Sequence, residues 1–98
     1  MLVTEIAQIE VKAGQETSFE RAVAEALPLI QRAQGCLGAR LCRSVERPQR
    51  YRLMVDWETV EHHMVTFRES PDFARWRELA GPHFAATPEV EHVSTVLS

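Results

Sequence analysis

Residues 52–84 read RLMVDWETVEHHMVTFRESPDFARWRELAGPHF and carry most of the structural signals of the chain. Arg52 to Asp56 has the alternation of a β-strand, and Trp57 ends it. A helical region follows, which Ser70-Pro71 divides in two and Gly81-Pro82 closes. Two tryptophans and two adjacent histidines within this one stretch of a short chain predict a pocket in addition to a core.

The remaining elements follow from the period of the apolar residues. Strands are predicted at Val3–Val11, Leu37–Val45, Tyr51–Trp57 and Glu89–Leu97, and the first helix at Glu16–Ala33. Pro28 lies inside that helix and is expected to kink it or divide its last turn. The order β-α-β-β-α-β predicts a ferredoxin-like α+β fold, in which a four-stranded antiparallel sheet has its helices on one face.

The sheet is predicted to have one face that no helix covers. The first strand carries apolar side chains on both faces, and the third strand has Met54 on its second face. An apolar sheet face left open to water is unfavourable, so we expect it to pack against a second copy of the chain. The sequence therefore predicts a homodimer.

Length and composition exclude several classes of protein. The 98 residues suffice for one domain with a single core, spanning 1–98. The net charge of −3, with no block of like charges, provides no basic surface for nucleic acid. The N-terminus lacks a basic segment, and Glu5 interrupts its apolar run, which predicts neither a signal peptide nor a membrane span. We expect a cytoplasmic enzyme or binding protein.

The two cysteines, Cys36 and Cys42, are predicted to lie on one face of the second strand. Six positions along a strand separate them by roughly 20 Å. A disulfide needs Cα atoms within about 7 Å, so they are not expected to pair with each other. Their spacing is also not that of a zinc ligand pair. We expect two reduced thiols.

Four short motifs resemble those of a known family. They are Gly35-Cys36-Leu37-Gly38-Ala39-Arg40-Leu41, the strand exit Trp57-Glu58, the helix residues Glu61-His62-His63, and Phe73-x-x-Trp76. Together they resemble the antibiotic biosynthesis monooxygenase (ABM) domain over nearly the whole chain. The resemblance implies a dimeric α+β barrel. The family includes cofactor-free monooxygenases of quinols and polyketide anthrones, haem-degrading enzymes, and isomerases of small sugar-like signals.

The haem-degrading branch of this family does not match the chain. Those members need an asparagine on the first strand, a tryptophan on the second helix and a haem-ligating histidine just after it. The corresponding positions are Ala7, Phe67 and Arg77. A guanidinium stays protonated and has no lone pair for iron, so haem binding is not expected. Quinol-oxidising members carry a second histidine on that helix, where this chain has residues 68–72.

His63 is the leading candidate for a catalytic residue. Val60, His63 and Phe67 recur at helical spacing, which places His63 on the buried face, while His62 projects roughly 100° away toward solvent. An imidazole that faces the sheet can serve as a general base near neutral pH, and the family resemblance implies a recurring helix histidine. The alternative is a core histidine hydrogen-bonded to a backbone carbonyl or to Asp56.

Aromatic side chains are candidates for the walls of a binding pocket. Trp57, Trp76 and Phe67 offer large flat surfaces suited to a planar aromatic substrate. Tyr51 shares the face of Trp57 and could donate a hydrogen bond to a phenol-like substrate. For each of these residues the alternative is packing in the core.

The other polar candidates are three cations and two histidines. Arg40, Arg52 and Arg77 are available to stabilise a developing enolate or superoxide, or alternatively to pair with surface carboxylates. His92 lies on the last strand, on a face that is either under the helices or at the dimer interface. His83 follows Gly81-Pro82 and could belong to a lid.

The chain has no sequence signature of a metal or nucleotide cofactor. Adjacent histidines on a helix project from different faces, and no glycine-rich phosphate loop is present. With the family resemblance, which implies the reaction and the substrate class, this predicts a cofactor-independent monooxygenase of small aromatic, quinol-like or anthrone-like compounds, with His63 as base and Arg52 or Arg77 as anion stabiliser. Two alternatives stay open: a non-catalytic dimeric module that binds a small hydrophobic metabolite, and an isomerase on the same scaffold.

Overall fold

The computed structural model describes all 98 residues, and its elements occur in the predicted order. The strands are β1 (Val3–Glu10), β2 (Cys36–Arg43), β3 (Arg50–Trp57) and β4 (Glu89–Val93). The helices are α1 (Glu16–Gln31) and α2 (Pro71–Ala80), with a π-helical segment at His62–Phe67 and a 3₁₀ turn at Gly81–His83. The ferredoxin-like α+β prediction is confirmed.

The four strands form one antiparallel sheet in the order β2-β3-β1-β4, with both helices packed on one face. The two central strands alternate strictly, so that every second side chain points under the helices and is buried. From β1 and β3 the buried side chains are Val3, Glu5, Ala7, Ile9, Tyr51, Leu53, Val55 and Trp57. The helices add Phe19, Val23, Ala26, Ile30, Phe67, Trp76 and Ala80. We call the opposite, uncovered side the open face of the sheet.

A β-bulge at the start of β2 changes the faces of its first residues. Cys36 pairs with Trp57 across the sheet, the register then shifts, and Leu37 is extruded with 54% of its surface exposed. Cys36 therefore points under the helices and is half-buried, whereas Cys42 is exposed on the open face. The prediction that the two cysteines share a face is wrong, because it assumed an unbroken alternation. Both thiols are free.

Several element boundaries differ from the predicted ones, most of all the end of β4. β4 ends at Val93 instead of Leu97. Val93 pairs with Thr4, and β1 begins at Val3, so the residues after Val93 have no partners on β1. The first helix continues through Pro28 as a single element, so the predicted division of its last turn does not occur. No helix of the structure combines the length and apolar character that crossing a membrane requires.

The connection between β3 and α2 is built from two hydrogen-bonded turns. Thr59 Oγ1 accepts a hydrogen bond from the backbone N–H of His62 at 3.2 Å, and also lies 2.8 Å from its Nδ1. The His62 ring packs on Gly35, where an added Cβ would lie 2.3 Å from the ring, so His62 does not project into solvent as predicted. Ser70 caps α2 by accepting from the N–H of Phe73 at 3.2 Å.

Candidate functional site

Besides the core tyrosine Tyr51, two ionisable side chains, Glu5 and His63, are buried in the molecule. Glu5 is 5% exposed on the helix-covered face of β1, and His63 is 3% exposed on the π-helical segment above it. Glu5 Oε1 and His63 Nε2 lie 3.3 Å apart. A carboxyl and an imidazole therefore meet away from bulk water, between the sheet and the helical layer.

Trp57 holds both of these side chains in place. Its indole Nε1–H donates a hydrogen bond of 2.9 Å to Glu5 Oε1. Its ring stacks on His63, with the ring centroids 5.3 Å apart and the planes inclined by 14°. Trp57 is itself fully buried, so it supports the Glu5–His63 pair and does not form an exposed pocket wall.

His92 completes a row of three ionisable groups. The pairing of β4 with β1 places His92 opposite Glu5, on the face under the helices, which decides between the two positions that the sequence left open. Its Nε2 lies 2.8 Å from His63 Nδ1, and it is half-buried. We call this arrangement the Glu5–His63–His92 cluster, in which His63 contacts one partner with each ring nitrogen.

Burial shifts the protonation of all three groups toward their neutral forms. Burial raises the pKa of Glu5 from 4.5 to about 7, although the hydrogen bond from Trp57 and the positive charge of Arg68 act in the opposite direction. Burial lowers the pKa of His63 from 6.5 to about 4, and His92 and Arg68 add to the effect. The pKa of His92 is also lowered, first by burial and then by Arg68. Near neutral pH the cluster thus combines uncharged imidazoles with a carboxyl close to half ionisation.

A cavity of about 430 Å³ opens beside the Glu5–His63 pair, between the sheet and α2. This volume is in the range of small-molecule sites. Its polar lining includes Glu5, His63, Arg68 and Arg77. Its apolar lining includes Ala7, Ile9, Leu53, Phe73, Trp76, Phe84 and Val90.

The second oxygen of Glu5, Oε2, makes no hydrogen bond within the protein. Both protein contacts of the carboxyl are made by Oε1. No buried side-chain oxygen or nitrogen of the protein lacks a hydrogen-bond partner, so Oε2, which has none, must be accessible. Since Glu5 lines the cavity, Oε2 is reachable from it.

Some of the predicted site residues lie at this cavity. His63, Trp76 and Arg77 line it, and His92 contacts His63 from the side of β4. The guanidinium of Arg77 lies over the Phe73 ring, 5.9 Å from its centroid. These residues come from three separate elements, which the packing of α2 and β4 brings together.

The other predicted residues lie away from the cavity. Arg52 is on the open face, because the alternation of β3 turns its neighbour Leu53 inward. There its Nη2–H donates a hydrogen bond of 3.1 Å to Gln8 Oε1. Arg40 is also on the open face, with its guanidinium 3.7 Å from the sulfur of Met54.

The aromatic candidates Tyr51 and Phe67 are part of the core. The Tyr51 hydroxyl donates to Glu20 Oε2 at 2.6 Å, beneath α1. Phe67 lies between Trp57 and Phe73, with centroid distances of 5.6 and 5.5 Å.

His83 does not contribute to the lining of the cavity. Its Nδ1 lies 3.0 Å from Gln15 Oε1, and its ring is 6.4 Å from that of Phe19. These contacts tie the 3₁₀ turn to the start of α1.

Comparison with known proteins assigns the chain to a family. The profile of the antibiotic biosynthesis monooxygenase family matches residues 2–79. The chain belongs to the ABM family. An uncharacterised protein, YczJ, of Bacillus subtilis is 35% identical over 95 residues, which are 97% of this chain and 100% of YczJ.

Solved structures of ABM-type proteins share the fold. A provisionally named antibiotic biosynthesis monooxygenase from Bordetella bronchiseptica is 55% identical, covers 98% of both chains and superposes with a TM-score of 0.95. SnoaB, a cofactor-independent oxygenase from Streptomyces nogalater, has a TM-score of 0.83 over 99% of this chain and 95% of its own, at 18% identity. The second similarity concerns the fold alone.

In this ABM protein two residues that line the cavity, Glu5 and Arg68, were not among those predicted from the sequence. In the sequence Glu5 interrupts an apolar run. The available signal was its parity, because it shares the inward face of β1 with Val3, Ala7 and Ile9. A carboxylate at such a position is rarely buried without a role. No comparable local signal marks Arg68, which reaches the cavity through the turn that follows the π-helical segment.

Proposed function

We propose that this ABM-family protein is a cofactor-independent monooxygenase of small, planar, electron-rich aromatic compounds of the quinol or anthrone type. The observation that carries the proposal is the buried Glu5 carboxyl, whose pKa of about 7 and accessible Oε2 suit it to proton transfer inside an apolar cavity. A general base works best when its pKa is close to the working pH. The family assignment supports oxygen chemistry over other uses of such a base.

The first step in this proposal is removal of a proton from the bound substrate by Glu5. With an anthrone, loss of a proton from the ring CH₂ group gives an anion that transfers electrons to O₂. A C–O bond forms at that carbon and gives a peroxide, whose O–O bond then breaks. The carbon is left as a quinone carbonyl, and the second oxygen leaves as water with the two hydrogens of the CH₂ group. Glu5 returns its proton to the peroxide and then takes the second proton from the same carbon. The electrons of that C–H bond form the C=O bond as the O–O bond breaks, and the hydroxide that leaves takes the proton from Glu5 to become water.

The remaining cavity residues have supporting roles in the proposal. Arg68 and Arg77 are the cations that line the cavity, and we assign to them the stabilisation of the substrate anion. Trp76 and Phe73 form flat walls for the ring system. His63 acts through its contact with Glu5. Arg52 has no part in this proposal, because it lies on the open face.

Oxygen uptake by the purified protein tests the proposal. A panel of quinols, anthrones and catechols is offered without added metal or flavin, and wild type is compared with Glu5→Gln. Glu58→Gln is the matched control, since Glu58 is an exposed carboxylate just after β3. We expect uptake by wild type and by the control, and a loss of at least about 100-fold in Glu5→Gln, the usual range for a general base.

Other outcomes would favour the other functions that the sequence left open. Product formation without O₂ would replace the proposal with an isomerase that uses the same carboxyl. Ligand binding without turnover, unchanged in Glu5→Gln, would replace it with a binding module. Uptake that is equal in wild type and Glu5→Gln would remove Glu5 from the mechanism.

A homodimer formed through the open face of the sheet is part of the same proposal. Ile6 and Met54 lie on this face without a covering helix, and Val93 is exposed beside them. The dimeric barrel implied by the family resemblance would bury them. Sedimentation equilibrium should give a dimer for wild type and a monomer for Met54→Lys. Val65→Lys, which changes an exposed apolar residue on the helical side, is the control and should stay dimeric.

A further inference from the structure

We propose that the Glu5–His63–His92 cluster is a proton relay, in which His63 changes tautomer to pass a proton between the cavity carboxyl and the edge strand β4. The purpose of such a relay rests on the proposed function, because a base that accepts a proton in every turnover must lose it again. The relay itself rests on geometry in the free protein.

The geometry lets His63 exist in two neutral forms. A neutral imidazole has one N–H donor and one acceptor nitrogen, and here each nitrogen of His63 contacts an ionisable partner. When Glu5 is protonated, its O–H donates to His63 Nε2, and His63 Nδ1–H donates to His92 Nε2. When Glu5 is ionised, His63 Nε2–H donates to the carboxylate, and His63 Nδ1 accepts from His92 Nε2–H.

Moving from the first form to the second carries one proton out of the cavity. The Glu5 O–H bond breaks as an N–H bond forms at His63 Nε2. The Nδ1–H bond of His63 breaks as an N–H bond forms at His92 Nε2, and His92 releases the proton of its own Nδ1 to water. No group is oxidised or reduced. If the two transfers at His63 are concerted, the buried ring never carries a full positive charge, which its surroundings disfavour.

The surroundings of His63 hold its ring between the two partners. Trp57 stacks on the ring and limits its rotation out of line with its two partners. His92 is on an edge strand and is half-buried, so its far nitrogen provides a path toward water.

Several other titratable or charged groups face the cluster and bear on its pH dependence. Arg68 acts on all three members, Arg77 lines the same cavity from α2, and the Trp57 N–H binds Glu5 from β3. Cys36 faces it from β2, and burial raises the pKa of its thiol, which favours the uncharged form. The two arginines are permanent charges, so Glu5 is the member expected to titrate near neutrality.

Nitrogen NMR of the histidine rings in the free protein tests this proposal without any substrate. We expect His63 to stay neutral while its protonated nitrogen changes from Nδ1 to Nε2 as the pH rises, with a midpoint near the Glu5 pKa of about 7. The protonated nitrogen of His92 should change from Nδ1 to Nε2 at the same midpoint. The carboxyl carbon of Glu5, followed by ¹³C NMR, should titrate with them.

Two variants complete the experiment. Glu5→Gln should abolish the pH-dependent exchange at both rings, whereas His62→Gln, which changes the neighbouring histidine outside the cluster, should leave it unchanged. The proposal is overturned if His63 keeps one tautomer while Glu5 titrates, or if the tautomers of the two rings change at different midpoints. It is also overturned if His63 becomes positively charged over the pH range in which Glu5 titrates. The wild-type midpoints are sufficient to test the relay, so the proposal stays testable even if a variant folds poorly. Oxygen uptake is a separate measurement, so failure of the proposed function and failure of the relay can be told apart.

Discussion

Replacement of Glu5 by glutamine should stabilise the fold more at pH 8 than at pH 5. The folded protein retains the Glu5 proton up to a pKa of about 7, whereas the unfolded chain releases it near the ordinary value of 4.5. Stability contributed by this group is therefore complete below pH 4.5 and is lost as the pH rises to 7. The shift from 4.5 to about 7 corresponds to about 3 kcal/mol, of which about 2.5 kcal/mol falls between pH 5 and pH 8.

His63 has the opposite dependence, which hides the effect of Glu5 in the wild type. Its pKa falls from 6.5 to about 4 on folding, so stability from this group is complete above 6.5 and is lost as the pH falls to 4. Each group contributes a slope of about 1.4 kcal/mol per pH unit, with opposite signs. The two slopes cancel between pH 4.5 and 6.5, and a single substitution exposes the remaining one.

The assay is urea denaturation followed by tryptophan fluorescence at several pH values and one fixed protein concentration. The pH-dependent part of the difference from wild type is the predicted quantity, since the substitution also changes packing by a constant amount. Glu5→Gln should gain about 2.5 kcal/mol on wild type from pH 5 to pH 8. His63→Phe should gain about 2 kcal/mol in the reverse direction, from pH 8 to pH 5. Glu58→Gln measures the effect of losing one exposed carboxylate.

A constant difference between Glu5→Gln and wild type across this range would refute the reasoning. It would mean that Glu5 titrates alike in the folded and unfolded states, and the argument for a buried base would fail with it. Neither variant should remove the shift of the other group, because burial is the largest cause of each shift.

Four further substitutions, one of them a control, test other parts of the structure. Arg68→Gln should raise the pKa of both Glu5 and His63, because the guanidinium lowers both pKa values. Carbon NMR of the carboxyl and nitrogen NMR of the ring measure the two shifts. Gly35→Ala should lower the free energy of unfolding by about 2–4 kcal/mol in urea denaturation, since φ is 82° and the new Cβ would meet a histidine ring. The control Gly14→Ala has a φ of 85° but open space around the new Cβ, and should lower it by only about 1 kcal/mol. Equal losses for the two glycines would contradict the close contact at Gly35. Ser70→Ala should cost about 1 kcal/mol through loss of the α2 cap, and an unchanged urea midpoint would count against that hydrogen bond.

Much of the fold was predictable because its signals are local. The alternation of β3 and the helical spacing of α1 depend on residues that are neighbours in the chain, and both elements lie within two residues of their predicted bounds. Ser70-Pro71 begins α2 for the same reason, since a cap and a proline act within one turn. The inward orientation of His63 also followed from spacing and is observed.

The features that differ from prediction depend on contacts between distant segments. The bulge at Cys36 arises from the register between β2 and β3, and it changes which face the first residues of β2 occupy. The end of β4 is set by where β1 begins. In both cases the apolar pattern of one strand predicts its position in isolation, and pairing with the neighbouring strand changes it.

The order of the elements, the single core and the burial of His63 follow from the amino-acid sequence, because the period of apolar residues encodes which side of each element avoids water. The residues that His63 contacts depend instead on how the elements pack. Glu5, His63 and His92 lie 58 and 29 positions apart in the chain, and their approach depends on strand register and on the packing of the π-helical segment. The pKa shifts follow from that packing, because burial and neighbouring charge are properties of the assembled fold and not of any one segment.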